Sequence, residues 1–146
     1  MQVNITSKVD IGVKPSEIFT YLTDLKRHYL WNPHLRKVAP LNSLKLGVTY
    51  RSTSLLLGIE VRGSNKVVKY IQNREIEIAN STGTIHYRVN YKLLNNTSKT
   101  QVVCTTHVSS DHKSFAFTQP ILKLLARREL QSDLEALKIA VENQLQ

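Results

Sequence analysis

Tyr87, Val89 and Tyr91 occupy alternate positions of one apolar run, and Val102, Cys104 and Thr106 do the same in the next. Paired as a hairpin about the Asn95 to Ser98 turn, the runs set Tyr87 opposite Thr106, Val89 opposite Cys104 and Tyr91 opposite Val102, all on one face. A phenol offers broad apolar area and one hydrogen bond, so this face suits an aromatic, polyketide-like or isoprenoid molecule with few oxygens. A core tyrosine satisfied by backbone or water produces the same pattern. The same register places His86 opposite His107 on the other, wet face. Two imidazoles fall short of the three or four ligands of a usual zinc site, and no carboxylate stands beside them, so no metal is expected.

Other chemistry is poorly represented. The chain has no glycine-rich phosphate loop, no His-Glu-x-x-His pair and no Gly-x-Ser-x-Gly elbow. Glu60, Glu75 and Glu77 alternate with apolar residues and point outward, while Glu129, Asp133 and Glu135 fall mainly on the wet side of a helix. Cys104 has no base among its expected neighbours and reads as core. No residue is assigned a catalytic role, and no cofactor is implied.

The elements that position these residues follow from period and punctuation. Val3, Ile5, Val9, Ile11 and Val13 alternate with polar residues as a strand with one wet face. Pro15 and Glu17 then suit the first turn of a short helix, Asp24 caps a second, and Trp31-Asn32-Pro33 must end it, because a residue before proline avoids helical geometry. Six further strands follow at Leu35–Leu41, Val48–Leu56, Ile59–Tyr70, Arg74–Ser81, Thr84–Leu93 and Thr100–Val108, with turn residues between them. Gly63 inside one of them suggests a bulge or bend. After Pro120 the period changes, and Leu122, Ala126, Leu130, Leu134, Leu137, Val141 and Leu145 mark one amphipathic helix on the order of 35 Å long. Strand, two short helices, six strands and a long helix describe an α+β helix-grip fold, a curved seven-stranded antiparallel sheet wrapped around its C-terminal helix. A curved sheet and a straight helix touch at the edges and leave room between them for a ligand. Tyr50, Ser52, Ser54, Ile76, Ile78, Ile85, Tyr87, Val89, Tyr91 and Thr106 are expected to line that space from the sheet. Phe117, Leu122, Leu125 and Ala126 are expected to line it from the helix, with Trp31 as wall or lid.

The segments Lys14-Pro15-Ser16-Glu17-Ile18-Phe19, Leu22-Thr23-Asp24 and Trp31-Asn32-Pro33 resemble the entry motif of the polyketide cyclase/dehydrase and lipid-transport family of the START-like, or SRPBCC, superfamily. The resemblance continues through Gly47, the Val67 to Ile76 hairpin and Leu134-Glu135-Ala136-Leu137-Lys138. It implies the helix-grip fold, and with it a function drawn from a broad set: lipid and sterol carriers, hormone receptors, aromatic cyclases and quinone-associated proteins. The expected function is carriage of a hydrophobic small molecule such as a lipid, an isoprenoid or quinone, or a polyketide-like compound. The alternative is a cyclase or dehydratase.

Composition sets the remaining bounds. With 146 residues, 41% hydrophobic and 21% charged, residues 1–146 are expected to form one domain with one core. The lone Cys104, the polar residues among the first ten and the lack of a long apolar run favour the cytoplasm over secretion or membrane insertion. The formal charge of +9 is spread along the chain and is densest at Lys26, Arg27, His28, His34, Arg36 and Lys37 around Trp31. This cluster makes an accessory factor docking on a membrane or macromolecular complex a third reading. The aromatics fall in apolar strand positions and not in exposed stacking rows, which argues against a nucleic-acid partner. Nothing in the sequence specifies an oligomeric state.

Overall fold

In the computed structural model, which describes residues 2–56, 58–80, 82, 85–110 and 119–144, the strict alternation at the N-terminus becomes strand β1 (Gln2–Ile11), its odd-numbered residues buried. Helices α1 (Pro15–Thr23) and α2 (Leu25–Trp31) follow, Pro15 opening the first and Asp24 accepting a hydrogen bond from the Lys26 N–H at 3.1 Å to cap the second. Strands β2 (Leu35–Ala39), β3 (Thr49–Leu56), β4 (Ile59–Ile71), β5 (Glu75–Asn80), β6 (Ile85–Asn96) and β7 (Lys99–Ser110) precede helix α3 (Gln119–Asn143). The expected helix-grip order holds throughout.

All neighbours in the seven-stranded sheet are antiparallel, in the order β1-β7-β6-β5-β4-β3-β2. The pair α1–α2 therefore carries the chain from one sheet edge to the other. Helix α3 lies along β1 and against α2. It is fastened to that edge by backbone groups a strand partner would otherwise take: Gln131 Nε2 donates to the Lys8 carbonyl at 3.1 Å, Lys138 Nζ to the Asp10 carbonyl at 2.7 Å, and Glu142 Oε2 accepts from the Gly12 N–H at 3.0 Å.

Two details differ from the sequence reading. The β6–β7 hairpin turns at Thr97-Ser98, so Tyr87 faces Val108, Val89 faces Thr106 and Tyr91 faces Cys104. The polar Asn95 and Asn96 extend β6 instead of forming its turn. A shift of two residues preserves side-chain parity, so the inward face is unchanged, but His86 moves opposite Ser109 and Arg88 opposite His107. Gly63 lies in regular pairing with Ser52, and the bulge in β4 falls at Val68, where a large apolar residue is turned 39% exposed. Glycine at 63 answers a close approach: a Cβ there would overlap the Asn80 side chain.

Candidate functional site

The concave face is packed at one end and open at the other. Leu134, Leu137 and Val141 of α3 are at most 1% exposed and belong to one core with Ile11, Ile18, Leu22, Val67, Ile76, Leu93 and Val102. One to two turns earlier on the helix, Ala126, Leu130 and Asp133 face a cavity of about 160 Å³. Across it stand Tyr50 from β3, Ile78 from β5, Val89 and Tyr91 from β6, and Thr106 from β7. Trp31 closes the side toward α2. Its Nε1 donates to the Tyr21 carbonyl at 3.1 Å, and its ring meets Tyr91 edge to face with centroids 6.1 Å apart.

Of the residues expected to face this space, Trp31, Tyr50, Ile78, Tyr87, Val89, Tyr91, Thr106 and Ala126 line the cavity, as do Ser52 and Ser54. Ile76 belongs instead to the filled core, and Ile85 is buried outside the lining. Leu125 is 40% exposed, because it stands about 100° around the helix from Ala126 on its outward side. Phe117 and the side chain of Leu122 lie outside the described residues.

The polar lining forms two sets. In the first, Tyr87 Oη donates to Asn65 Oδ1, and Asn65 Nδ2 donates to Ser52 Oγ at 2.9 Å and the Tyr50 carbonyl at 3.3 Å. The Tyr87 hydroxyl is thus committed within the protein, which is the core reading of that residue. Burial raises the pKa values of both Tyr87 and Tyr50, so both phenols stay neutral.

The second set contradicts the placement of the helix carboxylates on a wet face. Asp133 and Glu129 both line the cavity. Asp133 Oδ1 accepts a hydrogen bond from His34 Nδ1 at 2.9 Å, and Glu129 Oε1 lies 3.9 Å from His34 Nε2. Burial pushes the Asp133 carboxyl up to about 6, with Glu129 reinforcing the shift and His34 opposing it. The Tyr91 phenol is held well above its ordinary value by burial and by Cys104, Asp133 and Tyr50 around it. The position of Asp133 has a sequence signal, since it follows Ala126 by seven residues, close to two full turns, and so shares its face. By the same spacing Glu129 follows Leu122. His34 has no such signal, because it lies in the connection after Pro33 and meets α3 only through the tertiary fold.

Cys104 is buried among these groups. Burial pushes its thiol up to about 12, which keeps it protonated and unreactive. His28 is also buried, its Nε2 bonded to the Leu22 carbonyl at 2.8 Å, and burial lowers its pKa. The basic cluster read from sequence accordingly loses His28 to the interior, and half-buried His34 turns to the cavity wall. Arg27 is engaged by Asp24 at 3.3 Å and lies over the Tyr21 ring, 4.9 Å from its centroid.

No protein-family model and no curated protein matches the sequence. Solved structures do match over almost the whole chain. A START superfamily protein from Mycobacterium smegmatis superposes with a TM-score of 0.81 at 17% identity, covering 98% of this chain and 99% of its own. The ZhuI aromatase/cyclase from Streptomyces sp. R1128 gives 0.81 at 14% identity, covering 100% and 97%. The protein TTHA0849 from Thermus thermophilus gives 0.84 at 14% identity, covering 98% and 99%. The fold is the START-like helix grip, as the entry motif implied.

Proposed function

We propose that this chain binds a compact apolar molecule in the cavity between the sheet and the first half of α3. The observation that carries the reading is the cavity itself, walled by Trp31, Tyr50, Tyr91, Val89 and Ala126. At about 160 Å³ it is close in size to dry protein cavities of about 150 Å³ that take benzene. The ligand class is therefore a single ring, or one ring or short segment of a larger lipid, isoprenoid or polyketide-like molecule. The START superfamily and aromatase/cyclase neighbours support a ligand-holding use of the fold.

Titration with toluene, followed by amide NMR, tests this. Shifts confined to Ile78, Val89, Tyr91, Thr106 and Ala126 are expected. If those amides stay unmoved at saturating toluene, or if only surface positions respond, the reading fails. Native mass spectrometry of freshly purified protein would identify any carried molecule.

A second reading, an acid–base enzyme of the cyclase or dehydratase kind, is favoured by one observation: a histidine oriented by a carboxylate at the cavity wall. It places the candidate chemistry on His34 and Asp133. On an identified substrate, His34→Ala would then abolish turnover while binding persists; undiminished turnover would reject it.

On either reading residues 1–146 act as one domain working in the cytoplasm, with no nucleic-acid partner. Among the described residues no helix is long and apolar enough to cross a membrane. Lys26, Arg36 and Lys37 remain exposed and provide a surface for peripheral contact with an anionic membrane.

A further inference from the structure

Strands β2, β3 and β4 carry a second hollow, of about 600 Å³, whose charged residues sit on the face of the sheet turned away from α3. Arg51 and Thr53 line it, alternating along β3 with Tyr50, Ser52 and Ser54 of the cavity. Register brings the rest together. Lys37, Thr53 and Arg62 stand opposite one another in one row across the three strands, and Ala39, Arg51 and Ser64 form the next. With strands about 4.8 Å apart and alternate residues about 6.7 Å apart along each, the three cationic side chains start within roughly 10 Å of one another. All are long enough to reach one group held over Thr53 and Ser64.

Little negative charge opposes them. No acidic residue lines the hollow among the described residues, and Arg62 is paired with Glu60, which lies two positions along β4 and outside the lining. Lys37 and Arg51 have no ion-pair partner among the described residues. Between Asp24 and Glu60 the chain contains no Asp or Glu, so their own segment supplies no counter-charge. The hollow thus holds two uncompensated positive charges on fixed strands, with hydroxyl donors between them. A phosphate monoester carries about −1.5 to −2 charge at pH 7 and three acceptor oxygens, whereas a diester or a carboxylate carries a single charge. A guanidinium can hold two such oxygens at once, and an ammonium group a third.

We infer that this hollow is a site for a phosphate monoester. Arg51 and Lys37 hold the phosphate, Arg62 stands at its rim, and the Thr53 and Ser64 hydroxyls donate to it from the floor. The remaining volume admits the small body that bears the phosphate. The site lies across the sheet from the cavity and does not depend on what the cavity holds.

The test is titration of the full chain with glycerol 3-phosphate and, as its diester counterpart, glycerophosphocholine, at pH 7.5 and low salt, followed by amide NMR. Shifts at Lys37, Arg51, Thr53, Arg62 and Ser64 are expected, with the monoester bound about tenfold tighter than the diester. Arg51→Gln should weaken the monoester about tenfold. Lys123→Gln, which removes an equal charge from an exposed position on α3, should change it by less than about twofold. Equal losses in the two variants would show attraction to net charge alone and overturn the inference. So would a diester bound as well as the monoester, or amides of the hollow that stay unmoved at saturating glycerol 3-phosphate. Phosphatidylcholine vesicles with and without phosphatidic acid identify the source of the phosphate. Sedimentation with phosphatidic acid vesicles alone, reversed by Arg51→Gln, assigns the site to a lipid headgroup. Binding of glycerol 3-phosphate without sedimentation assigns it to a free phosphate ester, and either result upholds the site.

Discussion

Helix α3 meets one sheet with two different outcomes. From Leu134 to Val141 its inward side chains are large, fully buried and interlocked with Val67, Ile76, Leu93 and Val102. From Ala126 to Asp133 the inward positions carry a methyl, a half-buried leucine and two carboxylates, and the sheet opposite supplies tyrosines, serines and Thr106. The boundary falls within β5, where Ile76 packs into the core and Ile78, two residues on, lines the cavity. The first region holds the fold together; the second gives up packing and tolerates a costly buried acid. Stability and the proposed binding site are separated along one helix, which is the arrangement expected when a site must stay partly empty until filled.

Substitutions can break or sharpen this contrast. The largest effect is expected in the filled half: Leu137→Ala should cost about 3 kcal/mol in chemical denaturation, because the hole it leaves is walled by fully buried neighbours. Leu130→Ala, already beside open space, should cost less than half as much, and equal losses would erase the distinction.

Asp133 gives the next effect, of opposite sign. Its folded-state pKa, about 6, lies above the ordinary 3.8, so the folded chain holds its proton more tightly than the unfolded chain. Asp133 therefore subtracts stability progressively as pH rises from about 4 to 6, and the whole loss persists above 6. Asp133→Asn should raise stability at pH 7.5 by about 2 kcal/mol and remove that part of the pH profile. Thermal melts across pH 4 to 8 would decide it, and a destabilised variant at pH 7.5 would show that the carboxylate is structural.

A smaller change is expected from Tyr87→Phe, which leaves Asn65 Oδ1 without its phenol donor and should cost about 1 kcal/mol while toluene affinity stays within about twofold. A large loss of affinity would return Tyr87 to the ligand. The smallest stability effect belongs to Val89→Phe. Its ring would enter existing space, so stability should move by less than about 1 kcal/mol, whereas toluene should no longer perturb the cavity amides.

Much of this was legible in the residues. The inward rows of β1, β6 and β7 followed from alternation, the helix starts from Pro15 and Asp24, and ten of the fifteen residues expected to face the space between sheet and helix line the cavity. Ile76 was misplaced because parity says which face a residue joins and not how deeply that face is filled. Asp133 and Glu129, expected on the wet side, face the cavity and Leu125 does not, because angle around the helix and not chemical type decides which side chains turn inward. Gly63 looked like a bulge, yet its meaning lies in the Asn80 side chain of a neighbouring strand.

Period and capping are local properties. They fixed the order of elements, the inward faces and the helix-grip architecture without reference to distant contacts. Three things needed the tertiary structure. The β6–β7 register turned on which two residues make the tightest turn. The cavity depends on how far α3, held to the β1 edge, stands off the opposite strands. The acidic end exists because His34 and Asp133, 99 residues apart, meet where solvent is largely excluded. Burial and long-range proximity, not residue type, set the proton affinity of that carboxylate, and both arise only once the sheet has closed on the helix.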